Sequence, residues 1–193
     1  ESYQKSLTKL HELGITNVSL HEFDLARKLK NDGSHESMKQ MLFEINPLCM
    51  NDGFTAGTFT NEPDEPEEFV ITEHQKGLMR FNCADSLDRT NLATFYYAMK
   101  VTAQWCLLQK TGLSEACKKG SQEACDLTKP YLVVDKVITD FLAVSFVEVG
   151  NIISRVYTNT NAIKLNCIRT FAPSLIGTSN DATISVKRRV NNS

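Results

Sequence analysis

One stretch of the chain carries residues that could act together on a phosphate group. Cys83 is followed by five residues and then by Arg89 and Thr90. A thiolate at Cys83 could attack phosphorus, while the planar guanidinium of Arg89 bonds two phosphate oxygens in both ground state and transition state. The Thr90 hydroxyl could return a proton to the sulfur when it leaves. The spacing predicts phosphate hydrolysis through a phosphocysteine, without a metal or cofactor.

Two carboxylates in the same stretch are candidates for proton transfer. Asp85 or Asp88 could protonate the leaving alkoxide and later activate water. Asp88 is slightly favoured because it neighbours Arg89. The other residues expected to contact the substrate, through backbone N–H groups or polar side chains, are Lys76, Arg80, Asn82, Ala84, Ser86 and Leu87.

These residues can meet at one centre if they lie on a loop between a strand and a helix. Residues 78–82 predict the strand, and apolar residues at helical spacing predict a helix over 90–110. Such a loop aims backbone N–H groups at a phosphate, and the positive helix N-terminus favours the thiolate. The alternative interpretation makes Cys83 a buried structural thiol and Arg89 a surface residue. It leaves the acidic, polar loop at the helix start unexplained.

Periodicity and turn residues predict the remaining elements. The predicted helices cover residues 3–10, 38–45, 134–142, 152–157 and 182–191, and the second of them should end before Pro47. The predicted strands cover residues 15–25 and 69–71, with loops at 51–68, 111–130 and 173–181.

Composition excludes several classes of protein. The 193 residues are 41% apolar and 23% charged, as expected of one globular domain. The net charge of −2 does not suggest a nucleic-acid-binding protein. Residues 133–149 carry too many charges for a membrane span. The six cysteines form no C-x2-C pair, so no metal site is expected, and Cys117 and Cys125 are interpreted as reduced loop thiols.

The segment around Cys83 also resembles the R-x-N-C-x-D-C-L-D-R-T-N signature of Sac-domain phosphoinositide phosphatases. The matching residues are Arg80, Asn82, Cys83, Asp85, Leu87, Asp88, Arg89, Thr90 and Asn91. Ser86 replaces the second cysteine of the signature, and the Ala84 and Ser86 pair is similar to a divergent, plant-like subgroup. Weaker similarity extends over residues 75–77, 151–157 and 185–192. Ala26 stands where the family has a histidine.

The resemblance implies an α/β, cysteine-phosphatase-like domain with a strand–P-loop–helix active site. Residues 1–193 would then be the C-terminal portion of an incomplete Sac catalytic domain, with the N-terminal subdomain in the same or another polypeptide. The implied substrate is a phosphatidylinositol 4-phosphate or 4,5-bisphosphate headgroup, met at the cytosolic face of a membrane. The ring position attacked stays open.

Two rival functions remain. One is a different phosphatase with the same Cys-x5-Arg loop, acting on a protein or an mRNA cap. The other is a catalytically silent Sac-like module that binds phosphoinositides or serves as a scaffold.

Overall fold

The chain folds mainly into helices, with one small sheet. The structure is a computed structural model that describes residues 2–49, 52–60, 68–83, 87–163, 165–172, 175, 183–185 and 187. In chain order its elements are α1 (Ser2–Glu12), α2 (Leu25–Asn31), α3 (Gly33–Cys49), β1 (Ala56–Thr60), β2 (Glu68–Glu73), α4 (Asp88–Gln109), α5 (Glu115–Lys118), a 3-10 turn (Glu123–Cys125), α6 (Pro130–Val133), α7 (Lys136–Thr158) and α8 (Asn166–Arg169). This helix-dominated arrangement is compatible with an α/β class.

Helix α4 lies at the centre of the core. It packs against α3, α6 and α7, and its buried residues recur at the spacing of one helical face. The face includes Leu92, Phe95, Tyr96, Met99, Ala103 and Cys106, as the sequence predicts. The helix begins at Asp88 and ends at the left-handed Lys110, close to the predicted limits of 90 and 110.

Helix α7 is one continuous element where the sequence predicted two. Asp135 starts the helix by accepting a hydrogen bond from the backbone N–H of Val137, and the left-handed Asn159 ends it. Its buried residues are Thr139, Ala143, Val147, Gly150 and Ser154. Small side chains let α7 approach α4 closely, because interaxial distance depends on the side chains at the contact.

Among the described residues, α7 is the one helix long and apolar enough to cross a membrane, judged by length and composition alone. The predicted exclusion concerned residues 133–149, whereas this helix extends to Thr158. One face of the helix packs against α4 and α8.

The sheet is an antiparallel hairpin of β1 and β2. Phe59 pairs with Phe69, and Thr58 pairs with Val70. The prediction of a strand at 69–71 is confirmed, but β1 lies in a stretch that was predicted as a loop. Every residue of β2 is exposed, and β1 is exposed from Thr58 to Thr60.

Three further sequence predictions about elements are wrong. Residues 15–24 and 78–82 form no strand, since neither stretch pairs with another strand in the described structure. Helix α3 continues through Pro47 to Cys49 instead of stopping before the proline. The predicted helix at 182–191 lies mostly outside the described residues. The part of it that is described, 183–185 and 187, is helical.

The connection between α4 and α7 contains short helices where a loop was predicted. It brings Cys117 and Cys125 together, with 2.7 Å between their sulfur atoms. Burial, followed by the contact with Cys125, raises the pKa of Cys117 to about 11. At neutral pH Cys117 is therefore a protonated thiol, and it packs in the core.

Candidate active site

The Thr90 hydroxyl joins the two ends of the predicted phosphate-binding loop. Its oxygen accepts a hydrogen bond from the backbone N–H of Cys83 at 3.1 Å and donates one to Cys83 Sγ at 3.2 Å. Both contacts cross the loop and return to the same residue. Thr90 is therefore placed where its proton can reach the sulfur, which is the geometry that the predicted role requires.

The first turn of α4 supplies a positive end beside Cys83. Leu87 precedes the helix, and its apolar side chain makes no capping hydrogen bond. The first backbone N–H groups of a helix have no acceptor within the helix, and the helix dipole makes this end positive. Arg89 lies in this turn and is half-buried. A helix N-terminus with an arginine in its first turn is suited to an anion.

The segment that leads to Cys83 is held against α4 without being a strand. The ring of Phe81 meets the ring of Tyr97 edge-on, with centroids 5.5 Å apart. The Tyr97 hydroxyl donates to Asp52 Oδ2 at 2.8 Å. The Asp52 carbonyl in turn accepts the backbone N–H groups of Lys76 at 2.7 Å and Gly77 at 3.1 Å. Tyr97 therefore fixes the approach to Cys83 at two points.

Asp88 makes a structural contact at the same end of α4. Its side chain is buried, and Oδ1 accepts the backbone N–H of Ile163 at 2.9 Å. Asp88 was slightly favoured for proton transfer from the sequence, with an orienting role as the alternative, and its contact with Ile163 was not predicted. It ties the loop exit to the segment that follows α7.

Asn91 was quoted in the signature without a role. Its amide donates to the carbonyl of Phe146 on α7 at 3.1 Å. Gly150 of α7 lies next to this amide, and a Cβ added there would be 2.6 Å from Asn91 Nδ2. A glycine inside an otherwise helical pattern indicates a packing reason, and this signal was present in the sequence.

The remaining predicted site residues divide into two groups. Lys76, Arg80 and Asn82 have exposed side chains on the lead-in segment. Ala84, Asp85 and Ser86 lie outside the described residues. Among the residues that are described, no cluster of three His, Cys, Asp or Glu side chains could hold a metal ion.

Comparison with known proteins relates this chain to the Sac-domain phosphoinositide phosphatases, at low sequence identity. Over 96% of its own length, this chain is 28% identical to the polyphosphatidylinositol phosphatase INP53 of Saccharomyces cerevisiae. Over 68% of its own length, this chain is 29% identical to the phosphoinositide phosphatase SAC8 of Arabidopsis thaliana. An uncharacterized protein of Schizosaccharomyces pombe is 24% identical over 95% of the chain. No family model and no solved structure matches the chain.

The matched relatives are much longer proteins. The chain spans 15% of the length of INP53, 19% of SAC8 and 27% of the Schizosaccharomyces pombe protein. The resemblance noted around Cys83 is thus supported by proteins whose names describe phosphoinositide phosphatases. The similarity to INP53 extends over nearly the whole chain.

Proposed function

We propose that this chain carries the catalytic segment of a phosphoinositide phosphatase that works through a phosphocysteine. The observation that carries the proposal is the Thr90 hydroxyl, which bonds both the N–H and the sulfur of Cys83. A merely structural thiol has no need of a hydroxyl donor held to it from the start of a helix. The relatives named as phosphoinositide phosphatases support the same class of reaction.

The proposed reaction has two displacements at phosphorus. The Cys83 thiolate attacks, the bond from phosphorus to the inositol oxygen breaks, and the leaving alkoxide takes a proton from a carboxylic acid. The carboxylate left by the first step then takes a proton from water as that water attacks the phosphocysteine, the sulfur–phosphorus bond breaks, and inorganic phosphate leaves. Arg89 bonds the equatorial oxygens in both steps, and Thr90 donates to the departing sulfur.

The contacts of Asp88 favour Asp85 as the general acid. An Asp88 carboxylate that accepts an N–H bond and is shielded from water is best suited to hold the chain in place. Asp85, the other carboxylate of the predicted loop, is then the candidate for proton transfer. Asp85→Asn should lower the rate by about two to four orders of magnitude for an inositol leaving group. The loss should be much smaller for an aryl phosphate, whose leaving group needs little protonation.

The substrate proposed is the phosphorylated headgroup of a phosphatidylinositol, of the 4-phosphate or 4,5-bisphosphate class, met at the cytosolic surface of a membrane. Exposed Lys76 and Arg80 on the lead-in segment suit an anionic headgroup next to the loop.

Phosphate release from a panel of phosphoinositides, phosphopeptides and capped RNA tests the proposal. We expect release from phosphoinositides, and Cys83→Ser should abolish it while headgroup binding persists. Arg89→Ala should impair both, and Arg89→Lys should not restore turnover because one ammonium cannot bond two oxygens in the fork geometry. Release from another substrate class alone would favour the rival phosphatases. Binding without release, unchanged by Cys83→Ser, would favour the silent module.

A further inference from the structure

Helix α7 offers an unusual acceptor to the start of α4. In an α-helix the carbonyl of Phe146 accepts the backbone N–H of residue 150, four positions on. It also accepts the side-chain amide of Asn91 at 3.1 Å. A carbonyl oxygen has two lone pairs, so both bonds can form when the second is open to a neighbour.

Gly150 leaves that second lone pair accessible. A side chain at this position would lean over the preceding turn, where the Phe146 carbonyl lies. A Cβ there would be 2.6 Å from Asn91 Nδ2 and 3.3 Å from Asn91 Cγ. It would lie at an ordinary contact distance of 3.4 Å from Leu165 Cδ2. Asn91 is therefore the neighbour that a larger residue at 150 would displace.

Two further bonds hold the same region. Asp88 Oδ1 accepts the N–H of Ile163 at 2.9 Å. Asn151, next to Gly150, accepts the N–H of Ala162 at 3.1 Å through Oδ1. The first turn of α4, one turn of α7 and the segment at 162–163 are thus connected through side chains on both helices.

We propose that Asn91, seated on Gly150, is a positioning residue for the phosphate-binding loop. Resting on the proposed function, the inference is that α7 sets the orientation of the first turn of α4, and Thr90 in that turn sets the position of the Cys83 sulfur. Gly150 is then a requirement of the active site, although it lies on a different helix and touches none of the reacting atoms.

The test is a double-mutant cycle between positions 91 and 150 in the full chain. Gly150→Ala should lower kcat by about tenfold or more, since small displacements of reacting groups have large effects on rate. Asn91→Ala should have a smaller effect, because it loses a bond without introducing a clash. The double variant should match Asn91→Ala, because the added methyl group then has no amide to displace.

The reactivity of the Cys83 sulfur can also be measured without turnover. The rate at which iodoacetamide alkylates Cys83, and the protection given by vanadate, should follow the same order across the cycle. Ser145→Ala is the matched control on α7, since the Ser145 hydroxyl donates to the carbonyl of Phe141 on its own helix. Asn91→Asp keeps the size of the side chain but cannot donate, and should reproduce the loss seen with Asn91→Ala.

Two results would overturn the inference: a Gly150→Ala variant that matches the unmodified chain, or a double variant whose loss is the product of the two single losses. If Gly150→Ala fails to fold, the comparison of Asn91→Ala with the double variant still decides. Failure of the proposed function looks different. The unmodified chain would then release no phosphate, while alkylation of Cys83 would still depend on Gly150 through Asn91.

Discussion

Helices α4 and α7 are nearly equal in length, with 22 and 23 residues, but they bury opposite kinds of side chain. Helix α4 buries large ones, among them Phe95, Tyr96 and Met99. Helix α7 buries small ones and exposes large apolar ones. Its exposed apolar residues are Val137, Phe141, Val149, Ile152, Ile153, Val156 and Tyr157.

The difference shows that the two helices are held in different ways. Helix α4 is fixed by interlocking rings, since Phe95 meets the rings of Tyr96, Phe146 and Phe171 with centroids 5.4 to 5.6 Å apart. Helix α7 shares one of these ring contacts through Phe146, but its buried positions carry small side chains, and its large outer side chains add little to the packing of the described residues. The proposed phosphate-binding loop leads into the first turn of α4, so the position of that turn depends on both kinds of contact.

The largest expected effect is on α4. Phe95→Ala removes a ring with 0% exposure and should cost about 3–5 kcal/mol of unfolding free energy, because it leaves a cavity in the core. Phe141→Ala on α7 is the matched control. It removes the same ring from a site that is 69% exposed, and should change stability by less than about 0.5 kcal/mol.

Urea denaturation of both variants measures the difference. A Phe141→Ala variant as unstable as Phe95→Ala would show that the outer face of α7 is packed within the protein, and the comparison would fail.

The next largest effect tests whether small side chains on the inner face of α7 are needed for its packing. Ala143 is fully buried on the inner face of α7, so Ala143→Leu should overpack the contact and cost about 1–3 kcal/mol. Val156→Leu enlarges a side chain that is 76% exposed on the same helix and should be nearly neutral. Thermal unfolding followed by circular dichroism compares them. If both variants unfolded at the same temperature, the packing of α7 would not depend on small residues.

The sequence predicted α4 well because its large apolar residues recur without interruption. The sequence predicted two helices in place of α7 because Gly150 and Asn151 interrupt the apolar pattern. In the structure the glycine lies within the helix, where Asn91 packs against it. Residues 15–24 alternate like a strand, but a strand needs a partner, and pairing is a long-range property that alternation cannot reveal.

The candidate site was predictable to the extent that its residues are close in sequence. Cys83 and Thr90 were found by spacing, and their side chains are in contact. The contacts of Asp88 with Ile163 and of Asn91 with Phe146 join distant parts of the chain. Gly150 signalled close packing on its helix, but no local pattern identifies the partners, so these contacts were not predicted.

The smallest expected effect concerns pH and the aromatic face of α4. His35 of α3 packs edge-on against Tyr96, Tyr131 and Phe171. Its Nδ1 lies 2.8 Å from the Tyr96 hydroxyl. Desolvation by these neighbours lowers the pKa of His35 below its ordinary value of 6.5. Burial raises the pKa of Tyr96, so that hydroxyl stays protonated throughout the acidic and neutral range.

The sign of the effect follows from proton linkage. Between the lowered pKa in the folded state and 6.5 in the unfolded state, the unfolded chain binds more protons at His35. Stability is therefore present in full above pH 6.5 and falls as the pH decreases through the folded-state value. Part of the ring still meets water, so we expect a loss of less than about 1 kcal/mol. Urea denaturation at pH 7.5 and pH 5.5, which span about one unit on either side of the ordinary pKa, measures it.

His35→Gln should reduce this loss, because glutamine can still accept from Tyr96 but does not titrate in that range. His21→Gln is the matched control, since His21, like His35, is an exposed residue, and it lies 3.4 Å from the Glu44 carboxylate. In the His21→Gln variant, the loss of stability on acidification that depends on His35 should remain. An acid-induced loss that His21→Gln removes and His35→Gln leaves unchanged would assign the pH sensitivity to the surface, and the buried face of α4 would then be insensitive to pH.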